Sequence, residues 1–589
     1  MNLHPDYLLN QIQGPADVKK LSVDQLHQVA DEIRHLVVEK DAAIGGHLGP
    51  NLGIVETTLA FHYVFDSPHD KIVWDISHQS YPHKMLTGRA YGFLDNERYH
   101  DVTPYSNQDE SPHDYYRVGH TSTSIALAVG MAKARDLTKQ SGNIVAVIGD
   151  GSLSGGMALE GLNNAGKYDG NLIIIFNDNQ MSIDDVNGGM FDQLTALRES
   201  NGEAPNNLFK AMGLDYKYIA DGNDVETMIH ALEDVKGIAH PIVLHVNTVK
   251  GLGYAPALAD EEAWHWHSPF KIEDGSDVAP ASDAENYDQI IKDELGRQIE
   301  AGQPLMVITA AVPGVFGLGE IKAKYPAHYD DVDIAEQYSV TYATGLAENG
   351  ARPVLFQNST FFQRAYDQVI HDMALNRYPV VTIVKNGRIS DDSSTHQSDF
   401  DLAMLSNVPN IEYLAPTNAE ELVAMLQWAL TQTEKPVIIR EPAGEVTHGP
   451  ISATAFNQIK AQVVHQGKEV AIIGLGDFFA LGQAAAAELA KDGIDATLIN
   501  PVSASTLDEA TLGQLVNDHQ VVVTLENASM SGGFGEHVDR FFAPTKVRVL
   551  NFGAAKEFND VVPLAELYDR YHLTPTQIAT DVKAVLKNL

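Results

Sequence analysis

Cysteine is absent from all 589 residues, which excludes disulfides, thiolate metal sites and a cysteine nucleophile. Basic residues are scarce as well: 40 Lys and Arg stand against 79 Asp and Glu, a formal net charge of −39. That excess repels phosphate backbones and anionic lipid, so neither nucleic acid nor membrane is an expected partner, and an anionic substrate would need a local cluster of basic groups. No run approaches the roughly 18 apolar residues of a membrane-crossing helix. The opening Met1-Asn2-Leu3-His4-Pro5-Asp6 also lacks the basic-then-apolar order of an export signal. These absences predict a cytoplasmic location. With 44% apolar and 20% charged residues, the composition is that of a globular protein, and the length suits roughly three or four domains.

The chain is organised around residues 149–183. An apolar run, Ile144-Val145-Ala146-Val147-Ile148, leads into Gly149-Asp150-Gly151-Ser152. A helix-length segment follows, then a second run, Leu172-Ile173-Ile174-Ile175-Phe176, ending in Asn177-Asp178-Asn179-Gln180-Met181. Two β-branched runs around a helix predict a strand-helix-strand unit of a parallel sheet, with the polar groups at one edge. Open sheets bind ligands at that edge, where helix N-termini offer unpaired N–H groups. Asp150 and Asn179 would supply hard oxygen ligands for magnesium beside a diphosphate, and Gly151 would admit phosphate close to the backbone. Gly-Asp-Gly alone is more often a turn.

Upstream, residues 23–38 carry apolar positions at helical spacing. Residues 45–53, Gly-Gly-His-Leu-Gly-Pro-Asn-Leu-Gly, are too rich in glycine for an element and predict a loop. A strand at 71–74 ends in Asp75-Ile76-Ser77-His78-Gln79, and Val118-Gly119-His120-Thr121-Ser122-Thr123-Ser124 precedes an Ala-rich helix at 125–134, with Ser and Thr suited to cap it. Any one of His47, His78 and His120 is as readily a solvent-facing loop histidine. Three such loops ahead of the diphosphate motif predict one polar crevice.

Gly-Asp-Gly followed by Asn-Asp-Asn at the next strand end resembles the thiamine diphosphate enzymes. Gly-His-Leu-Gly-Pro-Asn-Leu-Gly-Ile-Val-Glu (46–56), Trp-Asp-Ile-Ser-His-Gln-Ser-Tyr-Pro-His-Lys (74–84), Val-Gly-His-Thr-Ser-Thr-Ser (118–124) and Asn-Asp-Asn-Gln-Met-Ser-Ile (177–183) resemble the 1-deoxy-D-xylulose-5-phosphate synthase family. The likeness runs nearly the full length, with a segment between Met181 and Thr248 shorter than usual. It implies three consecutive α/β domains of the transketolase-like fold, with mostly parallel sheets flanked by helices: a diphosphate-binding domain (1–275), a pyrimidine-binding domain (287–450) and a C-terminal domain (458–589) that buttresses a homodimer. It also implies thiamine diphosphate and Mg2+, the metal held by Asp150, Asn179 and the Met181 carbonyl. Cofactor contacts are implied for His78, Gly119, His120, Thr121, Gly151, Ser152, Asn179, Tyr254 and Glu336. The implied catalytic groups are Glu336, which activates the cofactor, His47, His265 and His396 around the reacting carbon, and Arg364 and Asp392, which with His396 match acceptor-side and donor-side polar positions. In Trp264-His265-Trp266-His267, alignment back from Phe270 selects His265.

Residues 271–286, acidic and rich in small residues, predict a linker. Strands are expected at 305–309, 353–356, 379–384, 470–474 and 521–526, with helices at 339–349 and 364–376. Departures from the family fall together: Asn358 replaces a tyrosine, Lys385 an arginine and Ala443 the arginine of Pro-Arg-Gly, three positions that contact the acceptor's phosphate in the family. Tyr338 replaces the histidine after Glu-Gln. The resemblance implies decarboxylative condensation of a pyruvate donor with an aldehyde acceptor, and the departures point to an acceptor other than the family's glyceraldehyde 3-phosphate. Transfer of two carbons from a ketose, as in transketolase, the first component of a 2-oxoacid dehydrogenase, and a non-catalytic cofactor-binding protein are the alternatives.

Overall fold

Sixteen strands, most of them separated by helices, build three sheets, in a computed structural model that describes residues 2–181, 188–279, 284–449 and 456–589. Ser182 and Ile183 of the family motif, residues 280–283 of the linker and position 450 lie outside the described residues. The chain divides into two compact units, residues 1–283 and 284–589. Among the described residues no helix is long and apolar enough to cross a membrane.

In the first unit, β1 (Lys71–Trp74), β2 (Ile144–Gly149), β3 (Ile173–Asp178), β4 (Asp215–Ile219) and β5 (Ile242–Asn247) form a parallel sheet in the order β1-β2-β3-β5-β4. Its apolar runs are continuous because both faces are covered. Val145, Val147, Ile173 and Ile175 pack against one set of helices, while Ile144, Ala146, Ile148, Ile174 and Phe176 pack against another. The helix Val23–Ile44 opens with a capping box between Ser22 and Gln25. It runs past the expected end at residue 38 because its polar continuation is accommodated inside: Lys40 donates to the carbonyls of Gly92 and Val102 and lies over the rings of Phe93 and Tyr81.

Two local expectations fail here. Residues 48–53 form a helix, Leu48–Gly53, rather than a loop. Glycine is needed there for proximity: a Cβ on Gly49 would lie 2.9 Å from the Trp264 carbonyl oxygen, and one on Gly53 3.1 Å from that of Val249. The helix Ser124–Leu137 has no side-chain cap from its own Ser and Thr residues. The buried carboxylate of Asp75 takes that role, accepting from Ser122 N (2.7 Å) and Ser124 N (2.9 Å).

The second unit holds two sheets. β6 (Leu305–Thr309), β7 (Tyr329–Asp331), β8 (Arg352–Asn358), β9 (Val381–Lys385), β10 (Glu412–Leu414) and β11 (Val437–Arg440) pair in parallel, in the order β10-β11-β9-β8-β6-β7. β12 (Gln462–His465), β13 (Glu469–Gly474), β14 (Thr497–Asn500), β15 (His519–Ser529) and β16 (Arg548–Ala554) follow in the order β12-β14-β13-β15-β16, with β12 antiparallel at the edge. The helix Tyr287–Glu300 starts from the end of the expected linker, with Asn286 accepting from Gln289 N. The helix Glu336–Glu348 begins three residues before the expected 339, which places Glu336 in its first turn. The helix expected at 364–376 is instead a succession of 3-10, α and π turns, Gln363–Ala365, Tyr366–Gln368 and Val369–Ala374. Arg440 joins the two sheets: it holds Asp401 through Nε (2.7 Å) and Nη2 (3.1 Å) and donates to the Asn527 carbonyl (2.9 Å). Asn527 in turn donates to Asp477 at 2.6 Å.

Candidate active site

Each parallel strand delivers its following loop to the carboxyl edge of the first sheet, and polar side chains tie those loops together. Ser77 Oγ, after β1, donates to the Val118 carbonyl at 2.6 Å, and Ser122 Oγ donates to the Ser152 carbonyl at 2.8 Å. Together with the two bonds to Asp75, these links draw His78, the loop of Gly119, His120 and Thr121, and the Gly151-Ser152 turn to one edge. The cost is backbone strain. Ile76, Ser77, Ser122 and Gln180 all have positive φ (56°, 69°, 76° and 66°), a region that L-residues avoid and that is concentrated at functional sites.

Asn51 fastens the next layer. Its amide donates to the carbonyls of His47 (2.8 Å) and His78 (2.7 Å), and its oxygen accepts from Tyr81 N. The bridge between Gly46 and His267, with both N–H···O distances 3.0 Å, brings the 264–270 turn alongside. Three of the expected histidines thereby meet: ring centroids are 5.0 Å apart for His47 and His78, 5.6 Å for His47 and His265, and 5.2 Å for His78 and His265. His267 turns away and stacks on Trp264. Loss of solvent around the His265 ring, reinforced by the positive Lys250 and the other two histidines, holds its pKa well below the usual imidazole range. The ring is therefore neutral at pH 7 and can offer a lone pair or a neutral N–H donor. Its Nδ1 has no hydrogen-bond partner among the described residues. Tyr254 does not join this cluster: its ring packs on Trp264 and Phe270, and its hydroxyl donates to the Ile272 carbonyl at 3.1 Å.

Asp150, 2% exposed, accepts from the backbone N–H groups of Gly151 (2.9 Å), Asn179 (3.2 Å) and Met181 (3.1 Å). Burial and the neighbouring negative Asp178 raise its pKa well above the ordinary 3.8. Burial would raise Asp178 too, but hydrogen bonds from His245 (2.7 Å) and Arg198 (2.6 Å) outweigh it and keep that group ionised. A buried carboxylate pressed toward protonation, beside the amide oxygen of Asn179, is the donor chemistry of a hard divalent cation, which would restore the charged form. The residues present thus fit Mg2+. Lys250, 2% exposed, adds a cation to the same edge; burial lowers its pKa to about 8 against the opposing pull of Asp150.

Among expected residues of the second unit, Glu336 is buried and paired with Arg364 Nη1 at 3.1 Å. Its helix is braced by Ser339 Oγ, which donates to the Glu336 carbonyl and accepts from Gln357 Nε2. His396 contacts the edge of Phe361 and the hydroxyl of Thr395 (3.0 Å). Desolvation lowers its pKa to about 4, with Asp392 opposing through charge alone. At the three departures, Asn358 accepts from Thr360 N at 3.3 Å and lies opposite Lys385 in the β8/β9 register. Lys385 donates to Asp288 and to the Val315 carbonyl (2.9 Å) and lies 3.8 Å from Glu441. Ala443 offers no polar side chain. Tyr338 is half exposed and stacks on Tyr342.

Sequence reading left out Asn51, Asp75, Asp178, His245 and Lys250 as site residues. The available signal was a polar group set in or against an apolar run: His245 interrupts the β5 run, and Asp75 directly follows β1.

The chain matches the family described as 1-deoxy-D-xylulose-5-phosphate synthase over residues 9–204 and 201–248, the transketolase pyrimidine binding domain over 284–448 and the transketolase C-terminal domain over 459–578. A 1-deoxy-D-xylulose-5-phosphate synthase of Symbiobacterium thermophilum is 39% identical, aligned over 98% of this chain and 95% of its own. That of Brevibacillus brevis is 38% identical over 90% of each chain. 1-deoxy-D-xylulose-5-phosphate synthase 1 of Geobacter sulfurreducens is 37% identical over 98% and 97%. With identity of this level sustained from end to end, and with the diphosphate-edge and glutamate motifs both in place, the chain belongs to the 1-deoxy-D-xylulose-5-phosphate synthase family.

Proposed function

We propose that this transferase condenses pyruvate, with loss of carbon dioxide, with an aldehyde that carries no phosphate. Family membership implies thiamine diphosphate and a divalent cation, which the donor set at Asp150 and Asn179 fits. When bound, the cofactor supplies a nucleophilic carbon and an electron sink. The chain's own groups do the rest. Asp150, Asn179 and the Met181 carbonyl would hold the cation, and the Gly119–Thr121 loop, Gly151, Ser152 and His78 would receive the diphosphate end. Glu336 would be the group that shares a proton with the aminopyrimidine ring, and Arg364 Nη1, 3.1 Å away, positions it. His47 and His265 would donate to oxygens on which charge develops, and the neutral His265 ring could pass a proton to or from the substrate at pH 7. His396 and Asp392 serve the donor side. We place the domains at 1–275, 287–450 and 458–589, in a cytoplasmic homodimer.

The observation that carries the acceptor reading is the environment of Lys385. Its ammonium is answered by Asp288 and the Val315 carbonyl, with Glu441, whose pKa burial raises to about 8, at 3.8 Å, so the cation is already neutralised where the family resemblance implies a phosphate-binding arginine. A phosphate arriving there meets no net positive charge. One charge-assisted contact is worth on the order of 1.5–3 kcal/mol, so losing the arginine forks at 385 and 443 would cost a hundredfold or more in selection, although the two losses need not add. Steady-state kinetics with pyruvate and either glyceraldehyde or its 3-phosphate test this. The unphosphorylated aldehyde is expected to have the higher kcat/KM. A strong preference for the phosphate, at roughly 10⁴ M⁻¹ s⁻¹ or above, overturns the acceptor reading and leaves the carboligase reading standing.

A further inference from the structure

The amino-terminal segment closes over the helix Val23–Ile44 at a cluster that plays no part in the site above. His35 and Glu39 lie one turn apart on that helix, on the same face. His4 comes back across them: its Nε2 is 2.6 Å from Glu39 Oε2, His35 Nε2 is 3.6 Å from Glu39 Oε1, and the two imidazole centroids are 5.1 Å apart at 73°. One ligand atom from each residue falls within 4.8 Å of the other two, and among the described residues no other group of three such side chains converges in this way.

We propose that His4, His35 and Glu39 bind one divalent transition-metal ion of the zinc type, which clips the amino-terminal segment to this helix. Two imidazoles and a carboxylate suit Zn2+, Co2+ or Ni2+, whereas Mg2+ and Ca2+ take oxygen sets. A tetrahedral centre with bonds of about 2.05 Å spaces its ligand atoms about 3.3 Å apart; His4 and His35 each approach a different oxygen of Glu39, at 2.6 and 3.6 Å, and one atom from each residue already lies within 4.8 Å of the other two. Small side-chain shifts suffice to seat the ion.

The surroundings fix the ligands before any ion arrives. Tyr7 Oη lies 2.5 Å from His35 Nδ1; with Nδ1–H donating to that oxygen, Nε2 keeps its lone pair on the Glu39 side, the outer-shell arrangement of metal-bound histidines. The Tyr7 ring also stacks on His4, centroids 4.5 Å apart at 17°. Glu32 anchors the segment by accepting from Leu8 N (2.9 Å) and Leu9 N (2.8 Å). His35 is about half exposed, which leaves an entry path and a fourth position for water.

The test uses the full chain, stripped with chelator and then saturated with thiamine diphosphate and Mg2+ so that the oxygen site is filled, and titrated with CoCl₂. The expected result is one Co2+ per chain with the visible d–d absorption of a low-coordinate centre, displaced by Zn2+. His4→Ala, His35→Ala and Glu39→Gln should each weaken binding by at least about tenfold. None of the three replacements touches the hydrophobic core. As a second readout, Zn2+ should slow amide exchange of residues 4–12 in the wild type and not in His35→Ala. No saturable Co2+ band at micromolar concentration, or affinity unchanged in all three variants, overturns the proposal and leaves His4 and Glu39 as a hydrogen-bonded latch.

Discussion

Replacing Asp75 by Asn tests whether one carboxylate organises the diphosphate edge. Asp75 is 1% exposed and each of its oxygens takes one backbone N–H, from Ser122 and Ser124. An asparagine keeps one acceptor and turns an NH₂ donor toward the other N–H. That loses one charge-assisted hydrogen bond, on the order of 1.5–3 kcal/mol, and strands a buried donor, on the order of 1–3 kcal/mol. Desolvation raises the Asp75 pKa, so removing the charge recovers part of this, and we expect a net loss of about 2–4 kcal/mol. The loss should fall on the 118–124 loop, whose Ser122 must be held at φ 76°. Cofactor affinity should therefore drop at least tenfold, about 1.4 kcal/mol, while Glu336 and the second unit are untouched. Urea denaturation and calorimetric titration of thiamine diphosphate with Mg2+ measure the two quantities. Unchanged stability with cofactor affinity within twofold of wild type would refute the reasoning.

Three further outcomes are expected. Asp150 has a folded pKa above its unfolded value, so the metal-free protein should lose stability as pH rises from about 4 through the folded pKa. Mg2+ binding should then release protons and tighten with pH, which calorimetry in two buffers of different ionisation heat detects; Asp150→Ala should abolish the release and weaken cofactor binding at least tenfold. Glu336→Ala should leave the cofactor bound but slow exchange of its C2 proton by about 10²–10⁴-fold, read by NMR, and an unchanged rate removes the assigned role. Gly49→Ala presses a methyl to 2.9 Å from the Trp264 carbonyl and should cost about 1–3 kcal/mol in chemical denaturation.

How far the sequence reveals this depends on whether a residue acts through its own pattern or through a distant partner. Asp150 and Asn179 were legible because they follow two continuous β-branched runs, and the end of the apolar run marks where a strand covered on both faces stops. The helix Leu48–Gly53 was not legible, because its glycines answer to the backbone at Val249 and Trp264, some two hundred positions away. Asp75 illustrates the same limit: local rules assign the cap of the Ser124–Leu137 helix to a neighbouring Ser or Thr, and only the fold brings a strand-end carboxylate within reach. The contact of Lys385 with Asp288 and its approach to Glu441 likewise join three distant stretches of chain. Substitutions at 358, 385 and 443 were visible as letters, but their effect on the local charge required the geometry.

The grip of Arg440 on Asp401, Asn527 and, through it, Asp477 also bears on how such a gene can be taken apart. These contacts cross from the sheet of β6–β11 to that of β12–β16. A break in the coding sequence between residues 440 and 477 would send a buried guanidinium–carboxylate pair into one polypeptide and its amide and carboxylate partners into another, so each product would carry buried polar groups stripped of their partners. A break near residue 284 leaves all four side chains in a single product. Gene fission, fusion or domain exchange in this lineage should therefore respect the earlier junction, and libraries of recombined or circularly permuted chains should recover folded protein there and not at the later one.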